Sequence, residues 1–197
     1  MQPLALSREE RYTWTDYRAW PDDERWEIID GIAYNMAAAP STRHQAVGGN
    51  FFSALHRALR GKRCTPFIAP TDVRLSETDV VQPDILVVCD PSKITPSHIE
   101  GAPDVVVEVL SPSTSAKDLR EKKRLYQRVG VAEYLVVDPL EMYVQRFLLS
   151  AEGRYGEPEI FSAQETLELA TLESIAIALW EVFEVPPPEA PESAPPQ

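Results

Sequence analysis

Asp84, Glu108 and Lys122 are the residues of this chain whose types and placing could do chemistry. Asp84 stands in Val80-Val81-Gln82-Pro83-Asp84-Ile85-Leu86-Val87-Val88, and Glu108 in Val105-Val106-Val107-Glu108-Val109-Leu110. Runs of this kind form strands covered on both faces, where a carboxylate is costly unless something compensates it. A divalent metal ion is the simplest compensation, and carboxylate oxygens are the ligands that a hard ion such as magnesium prefers. Two carboxylates around such an ion, with an ammonium group nearby, suit phosphodiester hydrolysis. The ion lowers the pKa of a bound water and neutralises charge on the scissile phosphate, while the lysine orients the nucleophile or stabilises the pentacovalent state. The plainer reading is a structural salt bridge between Glu108 and Lys122, which burial makes costly without further partners.

Three elements must position this set. Alternation along the Glu108 run puts Val106, Glu108 and Leu110 on one face and Val105, Val107 and Val109 on the other, so Glu108 points into a buried layer. On the preceding strand, Val80 to Cys89, Asp84 shares its face with Leu86 and Val88, and Pro83 favours an edge or a bulge there. If the two strands are neighbours, both carboxylates meet at their ends. Lys122 belongs to a helix expected from about Ala116 to Val129, capped by Ser113, Thr114 or Ser115 and closed by Gly130. At roughly 100° per residue, the apolar stripe through Leu119, Leu125, Tyr126 and Val129 centres on Lys122, while Arg124 faces water. A lysine in the middle of a core-facing stripe either snorkels or meets an anion.

The remaining elements frame these. A helical segment around Thr13 to Trp20 ends at Pro21-Asp22, and Trp26 to Met36 reads as a hairpin about Asp30-Gly31. A helix follows, capped by Ser41 or Thr42, with His44, Val47, Phe51, Leu55 and Ala58 on its inner face and Gly61 at its end. Strands are expected at about Phe67 to Leu75 and Glu133 to Pro139, and a second hairpin pairs Tyr143 to Leu149 with Glu159 to Ser162. Between the two carboxylate strands, Pro91 to Pro103 is a loop with a short helical turn. This order implies a mixed α/β sheet flanked by helices, with both hairpins as decorations. The boundaries expected are an N-terminal helical segment over 1–24, a single domain over 25–184, and a proline-rich acidic disordered tail over 185–197.

The net charge of -12 argues at first against a nucleic-acid partner, because phosphate neutralisation needs Lys and Arg. The acidity belongs to the flanks, however: residues 37–140 carry 13 basic and 12 acidic groups. Within them, Arg43, Arg57, Arg60, Lys62 and Arg63 form a stretch without acids, and Lys117 to Arg128 holds six basic residues. These are either a nucleic-acid surface or two solvated helix faces. No stretch of the sequence reaches the roughly 18 apolar residues of a membrane span, and the N-terminus lacks a signal-peptide core, so a soluble, cytoplasmic protein is expected. Cys64 and Cys89 read as small core residues in a reducing compartment.

Pro83-Asp84 followed by Glu108-Val109-Leu110 resembles the signature of the PD-(D/E)XK nuclease superfamily. The longer set Glu108-Val109-Leu110-Ser111-Pro112-Ser113-Thr114, Asp118, Lys122, Tyr126, Gly130-Val131, Glu133-Tyr134 and Val137-Asp138-Pro139 is similar to the Uma-two family of endonucleases. Ile29-Asp30-Gly31, Pro40-Ser41 and His44 fit the same pattern, which covers about residues 25–180. The resemblance implies a restriction-endonuclease-like fold, cleavage of DNA, dependence on magnesium with manganese as an alternative ion, and metal ligands at Asp84 and Glu108. Leu110 departs from the superfamily motif, which has a lysine two residues after the glutamate, and Lys122 is its replacement. The acidic residue often found on the first helix is also missing. His44 and Gln45 stand near that place, His44 as a ligand or water-positioning group or as a helix-terminal histidine bonded to backbone, and Tyr126 is a further accessory candidate.

Three functions compete. One is a magnesium-dependent nuclease acting on DNA. A second is a nucleic-acid-binding or regulatory module on a nuclease scaffold with weak or lost catalysis. The third is a homodimer, built on Trp180, Phe183 and an exposed apolar segment before the tail.

Overall fold

A computed structural model of the chain describes residues 11–21, 24–36, 40–111 and 118–189. Its first device is the turn at Asp30-Gly31, where both residues have positive φ, 51° and 76°. That conformation is what a two-residue hairpin turn requires, and Asp-Gly adopts it at little cost. It joins β1 (Trp26–Ile29) to β2 (Ile32–Asn35), which pair antiparallel as expected. The short helix α1 (Trp14–Tyr17), capped by Thr13, precedes this hairpin, and the helix α2 (Thr42–Leu59) follows it, its N-terminus capped by the Ser41 hydroxyl, which accepts from the His44 N–H. Val47, Phe51, Ala54, Leu55 and Leu59 are its buried face.

The two long strands expected next are each broken. Residues 67–75 separate into β3 (Thr65–Ile68) and β4 (Val73–Ser76), and residues 80–89 into β5 (Asp79–Val81) and β6 (Ile85–Val88). Pro70 and Pro83 fall in the two gaps, where the missing N–H ends regular pairing. Each broken strand then contributes one half to each of two sheets. The first sheet has the order β2-β1-β5-β4-β7, with β7 at Ile99–Glu100. The second has the order β11-β10-β9-β8-β6-β3. It contains β8 (Val105–Val109), β9 (Glu133–Asp138), β10 (Tyr143–Leu148) and β11 (Glu159–Ser162). Within it β8 and β9 run parallel, while β10 pairs antiparallel with both β9 and β11, the expected second hairpin. The fold is thus mixed α/β, and Asp84 lies at the crossing from one sheet to the other rather than within a strand shared with Leu86 and Val88.

Alternation along β8 holds. Val105, Val107 and Val109 join the core between the six-stranded sheet and α2, whereas Val106 and Leu110 join the core on the opposite face. That second face is covered by the first sheet and by α3 (Lys123–Val129), which a wide π-type turn, Asp118–Lys122, precedes. The expected helix start and its caps at residues 113–115 lie outside the described residues. The last part of the chain forms β12 (Thr166–Glu168), β13 (Ala176–Ala178) and α4 (Leu179–Phe183). Leu179, Val182 and Phe183 are buried in the α2 core, so this segment does not offer the exposed apolar surface expected of it. The expected tail, from residue 190 on, lies outside the described residues.

Two further expectations change. Cys64 and Cys89 are bonded to one another, S–S 2.02 Å. They flank Thr65↔Val88, the last pair of the β3–β6 ladder, so register places opposite one another two residues that lie 25 apart in sequence. The basic stretch from Arg43 to Arg63 is also partly tied down. Arg43 pairs with Glu184, Arg57 with Glu181, Lys62 donates to the Ser174 carbonyl and Arg63 to that of Cys89. Among the described residues, no helix is long and apolar enough to cross a membrane.

Candidate active site

The β6–β8 register sets the backbones of Asp84 and Glu108 opposite one another. Leu86 pairs with Val106 and Ile85 with Val107, and continuing one step sets Asp84 opposite Glu108. Asp84 Oδ2 accepts the Val109 N–H at 2.8 Å, which ties the carboxylate to the strand that carries Glu108. The Asp84 side chain keeps 27% exposure, while Glu108 is almost fully buried at 3%. His44, in the first turn of α2, places Nε2 3.3 Å from Asp84 Oδ2. Gln45, one residue further along α2, is exposed.

Lys122 is buried and turned to the carboxylates, as its place in the apolar stripe implied. Its Nζ lies 2.8 Å from Glu108 Oε1 and 2.9 Å from Glu27 Oε1. Tyr126 donates its hydroxyl to the same Glu108 oxygen at 2.7 Å. Lys122 and Tyr126 are four residues apart, so one helix face delivers both groups to one acceptor. Burial first, and then the Glu108 and Glu27 charges, push the Tyr126 phenol well above its usual range, which keeps it a neutral donor.

Glu27 is the member that sequence reasoning missed. It sits in β1 within the run Trp26-Glu27-Ile28-Ile29, only 1% exposed, and also accepts the Gln82 N–H at 3.1 Å. The signal was present, since this is a third acid in an apolar strand run. It was masked by the expectation that the missing acid belonged to the first helix. Burial alone does not mark the site, however. Glu133, fully buried on β9, accepts from the Thr171 N–H and hydroxyl at 3.0 and 2.8 Å and so anchors a loop.

Glu27 and Glu108 bring two carboxylates to the ammonium of Lys122 in a buried place. Asp84 adds another at its edge. Carboxylate oxygens gathered in this way are the ligand type that a hard divalent cation takes. The donors are oxygens, as magnesium or manganese prefers, and magnesium is commonly held by one or two carboxylates together with waters and substrate phosphates. Among the described residues, no group of three or more His, Cys, Asp or Glu is gathered as a ready metal cage. The carboxylate oxygens of Asp84 and Glu108 are of the donor type that such an ion uses.

Comparison with known proteins agrees with this architecture. The family described as "Uma2: Putative restriction endonuclease" matches residues 14–179. "Uncharacterized protein slr1290" of Synechocystis sp. (strain ATCC 27184 / PCC 6803 / Kazusa) is 28% identical over 171 residues, covering 85% of this chain and 86% of that protein. A crystal structure described as a putative nuclease belonging to DUF820, from Anabaena variabilis ATCC 29413, superposes with a TM-score of 0.71 at 18% identity. That likeness covers 87% of this chain and 97% of the other, and shows the shared fold.

Proposed function

The chain belongs to the Uma2 family, described as "Putative restriction endonuclease", and from that membership we propose that it hydrolyses phosphodiester bonds of DNA. Asp84 and Glu108 would hold a divalent cation, magnesium or manganese, and a cytoplasmic setting belongs to the same reading. The observation that carries it is the buried cluster of Glu27, Glu108 and Lys122 beside Asp84. When bound, the ion supplies charge neutralisation at the scissile phosphate and a more acidic water.

The chain's own groups have distinct parts. Asp84, half-buried at the rim, faces the substrate side, and its Val109 hydrogen bond fixes its direction. Glu108 is held by two donors, Lys122 and Tyr126, so its carboxylate is positioned before substrate arrives. Lys122 brings a positive charge close to where charge develops on the phosphate, and Glu27 keeps that ammonium in place. His44 beside Asp84 acts as a positioning group for the carboxylate or for the attacking water.

Purified protein is expected to cut DNA when magnesium or manganese is added. Glu108→Gln should reduce cutting by at least about 100-fold, and Asp84→Asn should abolish the heat of divalent-ion binding in calorimetry. Cutting by Glu108→Gln at the wild-type rate ends the proposal.

A further inference from the structure

A second feature lies on the other side of Gln82 from the carboxylates. Three of the four tryptophans of the chain, Trp14, Trp20 and Trp26, gather with Tyr17 at a cleft of about 380 Å³. Their rings form a continuous series. Trp14 stacks on Tyr17 with centroids 5.7 Å apart, Tyr17 lies 5.6 Å from Trp20, and Trp20 lies 5.5 Å from Trp26. All four are only partly buried, so ring area faces the cleft and solvent rather than the core. Arg18 and Arg25 line the same cleft, with Arg18 6.0 Å from the Trp14 ring centroid.

The floor is polar and pre-arranged. The buried Gln82 carboxamide donates to Tyr17 Oη at 3.1 Å and to Asp72 Oδ1 at 2.8 Å, and its oxygen accepts from Arg25 Nε and Nη2 at 3.0 and 2.8 Å. Tyr17 in turn donates to Asp72 Oδ1 at 2.7 Å. Burial, reinforced by Asp72, pushes the Tyr17 phenol above its usual range, so this bond persists at neutral pH. The network holds ring, guanidinium and carboxylate in place before any ligand arrives, which lowers the ordering cost of binding.

We infer that this cleft binds an unpaired nucleobase of a DNA strand whose backbone runs past Asp84. The placement of the strand rests on the nuclease reading; the cleft itself does not. Gln82 links the two sites, because its side chain forms the floor while its backbone N–H donates to Glu27 Oε1 at 3.1 Å. Asp84 is two residues further on, no more than about 7 Å of extended chain. Flat, partly exposed aromatic faces take any base by stacking, and the carboxylate, phenol and guanidinium beneath can meet its polar edge. A base in a duplex hides those faces and cannot enter without leaving its stack.

Charge favours the same occupant. The chain carries -12 overall, and Arg43 and Arg57 of α2 are paired with Glu184 and Glu181. Affinity from phosphate neutralisation is therefore weak here, whereas stacking gives affinity without a basic surface. The substrate class that follows is a strand with at least one unpaired base, either single-stranded or flipped out at a damaged or mismatched position.

The test is a binding titration in chelator, so that no cleavage is read. Tryptophan emission and the anisotropy of a dye-labelled strand would follow a short oligothymidine, a strand of equal length built from abasic residues, and a blunt duplex. The oligothymidine should quench emission and bind. The abasic strand and the duplex should bind much more weakly. Trp20→Ala and Trp26→Ala should each weaken oligothymidine binding by roughly 5- to 150-fold, with Trp→Phe restoring most of it. Thermal melts of the four variants identify any loss that comes from unfolding, and the Phe variants then carry the comparison. Equal binding of abasic and base-bearing strands, equal binding of the duplex, or unchanged affinity in folded Trp20→Ala and Trp26→Ala overturns the assignment. A protein that binds oligothymidine in this manner but cuts nothing with magnesium or manganese refutes the nuclease reading alone.

Discussion

Replacing Lys122 by methionine removes the ammonium while keeping most of the side-chain volume. In the native protein that ammonium lies 2.8 Å from Glu108 and 2.9 Å from Glu27, and none of the three side chains is more than 4% exposed. At an effective dielectric of about 20, each contact carries a gross attraction of about 6 kcal/mol, most of which offsets the cost of taking charges out of water. In Lys122→Met two buried carboxylates lose the ammonium they share. The expected loss is about 3–5 kcal/mol. For a chain of 197 residues this lowers Tm by about 6–20 °C. The assay is thermal unfolding at neutral pH, in chelator, of Lys122→Met, Glu27→Gln and the double variant. Removing Glu27 as well relieves the repulsion, so the double variant should be more stable than the sum of the single losses by about 0.5–3 kcal/mol. Magnesium or manganese should also raise the Tm of Lys122→Met more than that of the native protein, because the carboxylates of Glu27 and Glu108 have lost the positive charge of Lys122. A Lys122→Met protein that melts within about 1 °C of the native one, or single losses that simply add, refutes the reasoning.

Tyr126→Phe should cost about 1.5–3 kcal/mol, since it takes a buried donor from an ionised acceptor. Because the folded Tyr126 phenol titrates well above its ordinary value, its contribution is complete below about pH 10 and is lost as pH rises beyond that, so native Tm should fall more steeply than that of Tyr126→Phe in alkaline melts. Glu133→Gln should destabilise by about 1.5–3 kcal/mol in melts while leaving divalent-ion binding unchanged in calorimetry, because Glu133 anchors residues 170–171 and not the site. Reductant should lower native stability by about 3 kcal/mol, from the loop closed by Cys64 and Cys89, and should not change the melt of a Cys64→Ser/Cys89→Ser protein.

Much of the candidate site was legible because its signals are local. Glu108 declared itself as an acid in a valine run, and strand alternation assigned its face correctly. Lys122 declared itself on a helical wheel, and its four-residue spacing from Tyr126 survives even though a wide turn precedes the helix. Ser41 and Asp30-Gly31 marked a cap and a hairpin for the same reason, since both depend on a few adjacent residues. Glu27 was not found, because its partner lies 95 positions away in the chain and nothing nearby specifies that pairing.

The division follows from the range of the interactions. Residue type, periodicity and turn chemistry determined which segments are buried, which face each acid takes and that an ammonium lies among apolar side chains. Only the tertiary structure decided that the run from Asp79 to Val88 splits between two sheets at Pro83. It alone set Asp84 opposite Glu108, made Cys64 and Cys89 partners, and turned the arginines of α2 toward the C-terminal segment. It also gathered Trp14, Trp20 and Trp26 beside Gln82. Register, sheet order and helix packing arise from contacts between segments far apart in sequence, and the stability of such contacts depends on the whole arrangement rather than on either segment alone.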